Sequence, residues 1–124
     1  MAALRLTKVI PAGTPSETTV AAGAALGALG VILSVWSVLA LLRFDGSGPV
    51  VSGPFRFSRH PMYLGMFLIL GAAAVWAAEW ALVAVIPVLA LGVDRFVARP
   101  EEAELAAAFP EAWAAYVRSV RRWL

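Results

Sequence analysis

The chain has 124 residues, of which 61% are hydrophobic and 15% charged, with a mean hydropathy of +0.82. Soluble domains carry about a quarter charged residues, so this composition excludes an ordinary soluble domain and points to an integral membrane protein of at most one domain. The absence of cysteine excludes disulfides, a thiolate nucleophile and a cysteine-ligated metal, and a single histidine leaves no histidine-based metal centre. The net charge of +2 and pI near 9.7 call for no nucleic-acid partner, because most basic residues lie in a loop and a tail beside apolar runs.

Met1 to Thr19 contains Arg5 and Lys8 but no continuous apolar core, and Pro11 and Pro15 interrupt it, so it does not read as a cleavable signal peptide. No charge occurs between Glu17 and Arg43, which leaves 25 residues for one helix. A span needs about 20 apolar residues, so 18–42 is long enough to cross a bilayer with some tilt. Gly23, Gly27 and Gly30 recur about one turn apart, a spacing that lets helix backbones approach closely. A phosphate-binding glycine loop is the weaker reading, since no strand precedes these glycines.

Residues 43–60 form a loop rich in Gly, Pro and Ser, and Pro61 to Val93 then gives 33 mostly apolar residues. That is too long for one span and somewhat short for two. Trp76, Glu79 and Trp80, two amphipathic rings around a charge, mark the break, so 61–98 is expected to be a helical hairpin with its tip near Glu79. Pro87 is expected to kink or loosen the returning helix. Arg99-Pro100-Glu101-Glu102 resembles a helix start, with proline in the first turn and acids at the positive end of the dipole. Over 100–124, Leu105, Phe109, Trp113, Tyr116, Val120 and Trp123 recur at three- and four-residue spacing, an apolar stripe suited to the headgroup plane or to the bundle. Pro110 divides this segment into two short helices.

The expected fold is therefore all-α: an integral membrane helical bundle with one span, a helical hairpin and a C-terminal amphipathic segment, about three transmembrane helices in all. Eight basic residues place loop and tail on one side, expected to be cytoplasmic: Arg43, Arg56 and Arg59 in the loop, and Arg95, Arg99, Arg118, Arg121 and Arg122 in the tail. Arg5 and Lys8 fall opposite. The segment Gly53 to Gly65 and the pair Glu101-Glu102 then share one membrane face.

Arg56, Arg59, His60 and Tyr63 supply donors there, and Glu101 and Glu102 supply carboxylates, a mixture suited to a zwitterionic, partly apolar ligand. Each group also has a plainer explanation. Arg59-His60-Pro61 serves as a basic anchor before a helix-opening proline, and Glu101-Glu102 as dipole complements. The residues alone leave site and anchor evenly weighted. Asp94-Arg95 is either interfacial or directed into a site, and Glu79 reads as a hairpin-tip residue.

The run G-P-F-R-F-S-R-H-P-M-Y-L-G, followed after a hairpin by E-E-A-E-L-A-A-A-F-P-E-A-W-A-A-Y-V-R-S-V, resembles the membrane methyltransferase superfamily. That group includes isoprenylcysteine carboxyl methyltransferases and phospholipid methyltransferases. The likeness covers roughly residues 31 to 123 in order and spacing. It implies S-adenosylmethionine as methyl donor, with no metal. By position it implies that Gly53, Arg56, His60, Pro61, Tyr63 and Gly65 shape the cofactor pocket, and that Glu101 and Glu102 complete it, one of them engaging the ammonium group. Arg59 and Glu102 are implied as the catalytic pair. Glu101, Glu102 and His60 are the candidate bases for an amine acceptor.

The resemblance implies a lipophilic or small-molecule methyl acceptor (isoprenylcysteine-type carboxylate, lipid amine or thiol) reached from membrane lipid. Many relatives carry further N-terminal spans, so a homo-oligomer is the candidate to complete the substrate path. A noncatalytic homologue acting as a helical interaction module is the rival reading. A small multidrug exporter is weak, because Val20 to Leu42 contains no acidic residue.

Overall fold

The computed structural model describes residues 15–124, so Arg5 and Lys8 lie outside the described residues. The described chain is helical throughout, with no strand. Helix α1 spans Glu17–Leu41. Its start is fixed by a reciprocal cap: Ser16 Oγ accepts from the Thr19 N–H at 3.2 Å, and Thr19 Oγ1 accepts from the Ser16 N–H at 2.8 Å. A single 3₁₀ turn covers Gly53–Arg56, and α2 covers Pro61–Trp76. Helix α3 (Trp80–Val93) runs through a π turn at Asp94–Ala98 into α4 (Arg99–Ala108), and α5 follows at Pro110–Ser119.

Helices α1 and α2 pack antiparallel at close range, and glycine is what permits it. A Cβ on Gly23 would lie 2.7 Å from Trp76 Cβ, and one on Gly30 would lie 2.7 Å from the Gly65 carbonyl oxygen. The expected packing role of the α1 glycines is thus realised in contact with α2. Gly65 belongs to the same seam, where an added Cβ would collide with Ser34 Oγ. Dispersion and close backbone approach, rather than expulsion of water, hold such helix pairs together in lipid.

The α2–α3 turn falls where Trp76-Glu79-Trp80 places it. Ala78 is left-handed (φ 53°) and 1% exposed. The Glu79 N–H reaches the Ala74 carbonyl at 2.8 Å and the Ala78 N–H reaches Val75 at 3.0 Å, the paired bonds of a Schellman ending. The returning helix contributes no buried residue over Trp80–Val93. Two helices are long and apolar enough to cross a membrane, Glu17–Leu41 and Trp80–Ala108, and only 17% and 6% of their most apolar windows is buried. Apolar surface so openly displayed distinguishes them from the core helices of a soluble protein. Helix α2 has 16 residues, about 24 Å at 1.5 Å per residue, shorter than the hydrocarbon core.

One expectation is corrected. Arg99-Pro100-Glu101-Glu102 does not begin a helix, because Trp80–Ala108 is continuous. The Arg99 N–H bonds the Asp94 carbonyl, one residue further back than in an α-helix. This wider turn sits just before Pro100, whose ring would crowd the preceding turn and whose missing N–H breaks the ladder. The two acids therefore do not lie at a helix N-terminus, and dipole complementarity does not explain them.

Pro61 and Pro110 do open helices, and the residues before them share one conformation: His60 at φ −132°, ψ 58° and Phe109 at φ −134°, ψ 66°. The tail stripe settles against the bundle. Trp113, Tyr116 and Val120 form a buried cluster with Ala40 and Phe55, and Val50 and Leu105 pack at its edge. Burying one such large side chain contributes about 1.5–3 kcal/mol.

Gly30→Val should lower unfolding stability in detergent by about 1–3 kcal/mol or more, because backbone on the partner helix cannot yield. Gly48→Ala, where an added Cβ meets nothing within 4 Å, should stay within about 0.5 kcal/mol. Thermal and denaturant unfolding followed by circular dichroism compares the two; equal effects would remove the glycine seam as the constraint.

Candidate functional site

The 3₁₀ turn delivers the chain from α1 to the start of α2. Gly53 takes φ +60°, and a Cβ there would lie 3.1 Å from Trp36 Nε1 and 3.2 Å from Ala40 Cβ. Tyr116 fastens this turn from α5, its hydroxyl donating to the Phe55 carbonyl at 2.6 Å and the Ser58 carbonyl at 3.2 Å. Burial pushes the Tyr116 phenol up, so it stays a protonated donor. Buried Ser58 accepts from the His60 N–H at 3.1 Å and donates to the Arg122 carbonyl at 3.1 Å. The Arg59 N–H donates to the Arg121 carbonyl at 3.0 Å. The tail after Ser119 is thereby strapped across residues 58–60.

On α4, Glu102 is buried and its carboxylate is divided among three donors. Oε1 accepts from Arg59 Nη1, while Oε2 accepts from His60 Nε2 at 2.9 Å and from Arg122 Nε at 2.6 Å. Opposite a carboxylate, Nε2 is assigned the proton. Glu101, one residue earlier, points elsewhere. Its side chain is 47% exposed and accepts from the Tyr63 hydroxyl at 2.5 Å, with His60 Nδ1 3.9 Å away. The His60 ring stacks on Tyr63 at 5.7 Å and meets Trp123 at 5.6 Å. Asp94, in the π turn, anchors the tail by accepting from Trp123 Nε1 at 2.9 Å, and it also pairs with Arg99 at 3.1 Å and Arg122 at 3.5 Å.

Two cavities flank Arg59. One, about 210 Å³, is lined by His60, Pro61, Met62, Tyr63 and Glu101. The other, about 220 Å³, is lined by Phe44, Pro49, Val50, Trp113 and Tyr116. Leu41, Phe55, Arg59 and Leu105 belong to both, so the two adjoin. Arg59 Nε is buried without a hydrogen-bond partner. The polar cavity offers one exposed carboxylate, a phenol and an imidazole, and the other is almost wholly apolar.

Residues 18–112 match the family model described as phospholipid methyltransferase. The chain belongs to that family. No curated protein and no solved structure matches it. Membership in the phospholipid methyltransferase family, together with two exposed apolar helices, supports a membrane-associated methyltransferase. The matched stretch contains both the arginine–histidine–proline segment and the acidic pair.

Among the residues expected from sequence, Arg59, His60, Pro61, Tyr63, Glu101 and Glu102 converge. Three do not join them. Gly53 packs on Trp36 and Ala40, and Gly65 lies in the α1–α2 seam. Arg56 is exposed, bonding the Gly53 carbonyl at 3.1 Å and lying over the Phe57 ring at 5.5 Å. Glu102 converges but lines neither cavity. Sequence reasoning missed Arg122 and the clamp of Trp123 on Asp94, because basic and aromatic tail residues read equally well as membrane anchors. A signal existed in the Arg122-Trp123 pair, which follows the apolar stripe into the same end of the bundle.

Glu102→Ala should destabilise the fold by about 3–5 kcal/mol, since it leaves two guanidiniums facing each other without their shared carboxylate. Glu101→Ala should cost less than about 1 kcal/mol, as expected for a half-exposed group. Denaturant midpoints in detergent measure the contrast, and equal midpoints would contradict the division of roles.

Proposed function

We propose that this chain transfers a methyl group from S-adenosylmethionine to a lipophilic or small-molecule acceptor at the membrane. The observation that carries this reading is convergence: residues 59–63 meet the acidic pair across 38 to 43 residues of sequence, with Glu101 lining one polar cavity beside them and Glu102 holding Arg59 and His60 from behind. Family membership supplies the chemistry class.

The residues present fit the donor's polar end. Glu101 is the acid free to receive an ammonium group, because Glu102 is already committed to Arg59, His60 and Arg122. Tyr63 and His60 form a stacked aromatic wall, and Pro61 fixes the backbone between them. Glu102 acts through others as a positioning residue, holding Arg59 and His60 in place. When bound, the donor would supply an electrophilic methyl group on a sulfonium. The protein's contribution is alignment and exclusion of water by Leu41, Phe55 and Leu105, for which it needs no covalent nucleophile.

The chain is proposed to act as one domain that crosses the bilayer with α1 and the α2–α3 hairpin. Its loop and tail arginines are gathered at a cytoplasmic face. Acceptors would then enter from lipid beside the apolar cavity.

Calorimetry on the purified chain in detergent should detect saturable binding of S-adenosylhomocysteine. Glu101→Gln should weaken it at least about tenfold, the scale of a lost hydrogen bond to a charged group. Arg56→Ala should leave it within about threefold, because Arg56 stands outside the cluster. Absence of saturable binding would favour the noncatalytic interaction module.

A further inference from the structure

Trp123 stands at the end of the tail's apolar stripe, where a tryptophan ordinarily anchors a chain at the headgroups with its polar edge toward water. Here it turns into the bundle. The residue is only partly exposed, and its indole N–H donates at 2.9 Å to Asp94 Oδ1 in the π turn. The ring meets two others, His60 at 5.6 Å and Phe67 at 5.9 Å. The tail does not depend on this contact to stay in place. The Arg59 N–H on the Arg121 carbonyl, the Ser58 hydroxyl on the Arg122 carbonyl and the Arg122 side chain on Glu102 already fasten it. What the indole alone adds is a wall against the imidazole.

His60 has use for such a wall. Its Nε2 is tied to Glu102, which fixes one corner of the ring, and imidazole torsions are otherwise broad. Tyr63 stacks on the ring at 5.7 Å, but the Tyr63 hydroxyl is bonded to Glu101, the acid that faces the polar cavity. A ligand that engages Glu101 therefore also disturbs Tyr63. Trp123 lines neither the polar cavity nor the apolar one beside it, so its hold on His60 does not change with their contents. We propose that Trp123, anchored by Asp94, is a positioning residue: it fixes the His60 imidazole with Nδ1 on the Glu101 side, 3.9 Å from that carboxylate. Its effect on binding rests on the reading that the methyl donor occupies the polar cavity. Neither Trp123 nor Asp94 touches the ligand. They act through the ring in front of them, as side chains packed behind a site hold its geometry.

His60 is the single histidine of the sequence, so isotope-labelled histidine reports on this ring alone in a chain without a histidine tag. Nuclear magnetic resonance on the full chain in detergent, without ligand, should show one set of ring-nitrogen signals. Trp123→Phe keeps an aromatic ring and removes the N–H. It should broaden or double those signals and weaken S-adenosylhomocysteine binding about tenfold by calorimetry, the scale of one hydrogen bond to a charged group. Asp94→Asn keeps an oxygen to accept the indole N–H and should retain one set of signals, with affinity within about threefold. Arg99→Gln removes an exposed partner of Asp94 and leaves the indole bond, so it should also stay within about threefold. If Trp123→Phe loses its helical circular dichroism, Phe67→Leu, which removes the other ring on Trp123, replaces it and should disturb the same signals.

Unchanged His60 signals in Trp123→Phe would overturn the proposal. So would disturbed signals with unchanged affinity, or an equal disturbance in Arg99→Gln. Disturbed signals in a chain whose unaltered form shows no saturable S-adenosylhomocysteine binding would fail the donor reading and leave the clamp on His60 standing. Unchanged signals with binding intact would remove the clamp alone.

Discussion

One buried carboxylate ties together three separate segments at the loop-and-tail end of the molecule. Glu102 belongs to α4, Arg59 and His60 to the segment that opens α2, and Arg122 to the terminal strap, and all three donors converge on its two oxygens. Removing charges from water is costly, so such a cluster is weak evidence of net stability. Its value is geometric. Four side chains from three separate segments can satisfy one another in few arrangements, and a half-satisfied version is penalised heavily in a low-dielectric setting. The cluster thus sets the register between the hairpin, the loop and the tail.

That register depends on a local irregularity. An unbroken α-helix from Trp80 to Ala108 would conflict with Pro100, and the π turn at Asp94–Ala98 absorbs the mismatch. The extra residue in the turn rotates everything beyond it relative to α3. It also leaves Asp94 on the side where Trp123, Arg99 and Arg122 can reach it. The same bulge therefore accommodates a proline, orients the acidic pair and provides the tail with its anchor.

Much of the fold was legible because the bilayer leaves so few options. Charge-free runs, interfacial tryptophans and glycines one turn apart have narrow meanings in a helical membrane chain, and 18–42, the turn near Glu79 and a glycine packing face on α1 all followed from them. The break at 99–102 was misread because proline followed by two acids is also the signature of a helix start. Only the continuity of the preceding helix distinguishes the two cases. At the site, Arg59, His60, Tyr63 and the acidic pair stood out by residue type. Gly53 and Gly65 entered by association with the motif, although Gly53 seats the loop on Trp36 and Gly65 makes room for α1. Arg122 was hard to read because its partner lies 20 residues back on α4, and beyond its place beside Trp123 little local separates a clamp from an anchor.

Adjacent identical residues end with opposite roles, and helix geometry explains why. Successive positions on an α-helix differ by about 100° in direction, so Glu101 and Glu102 cannot face the same surroundings. Glu102 turns inward to a set of donors that saturates it. Glu101 turns to the cavity edge, where one phenol holds it and half of its side chain remains accessible. A single carboxylate at either position would leave the cations unpaired or the cavity without an acceptor. The doublet lets one acid hold the donors and the other face the polar cavity. Arg59, which lines both cavities, is held by donating Nη1 to the inward carboxylate of that pair.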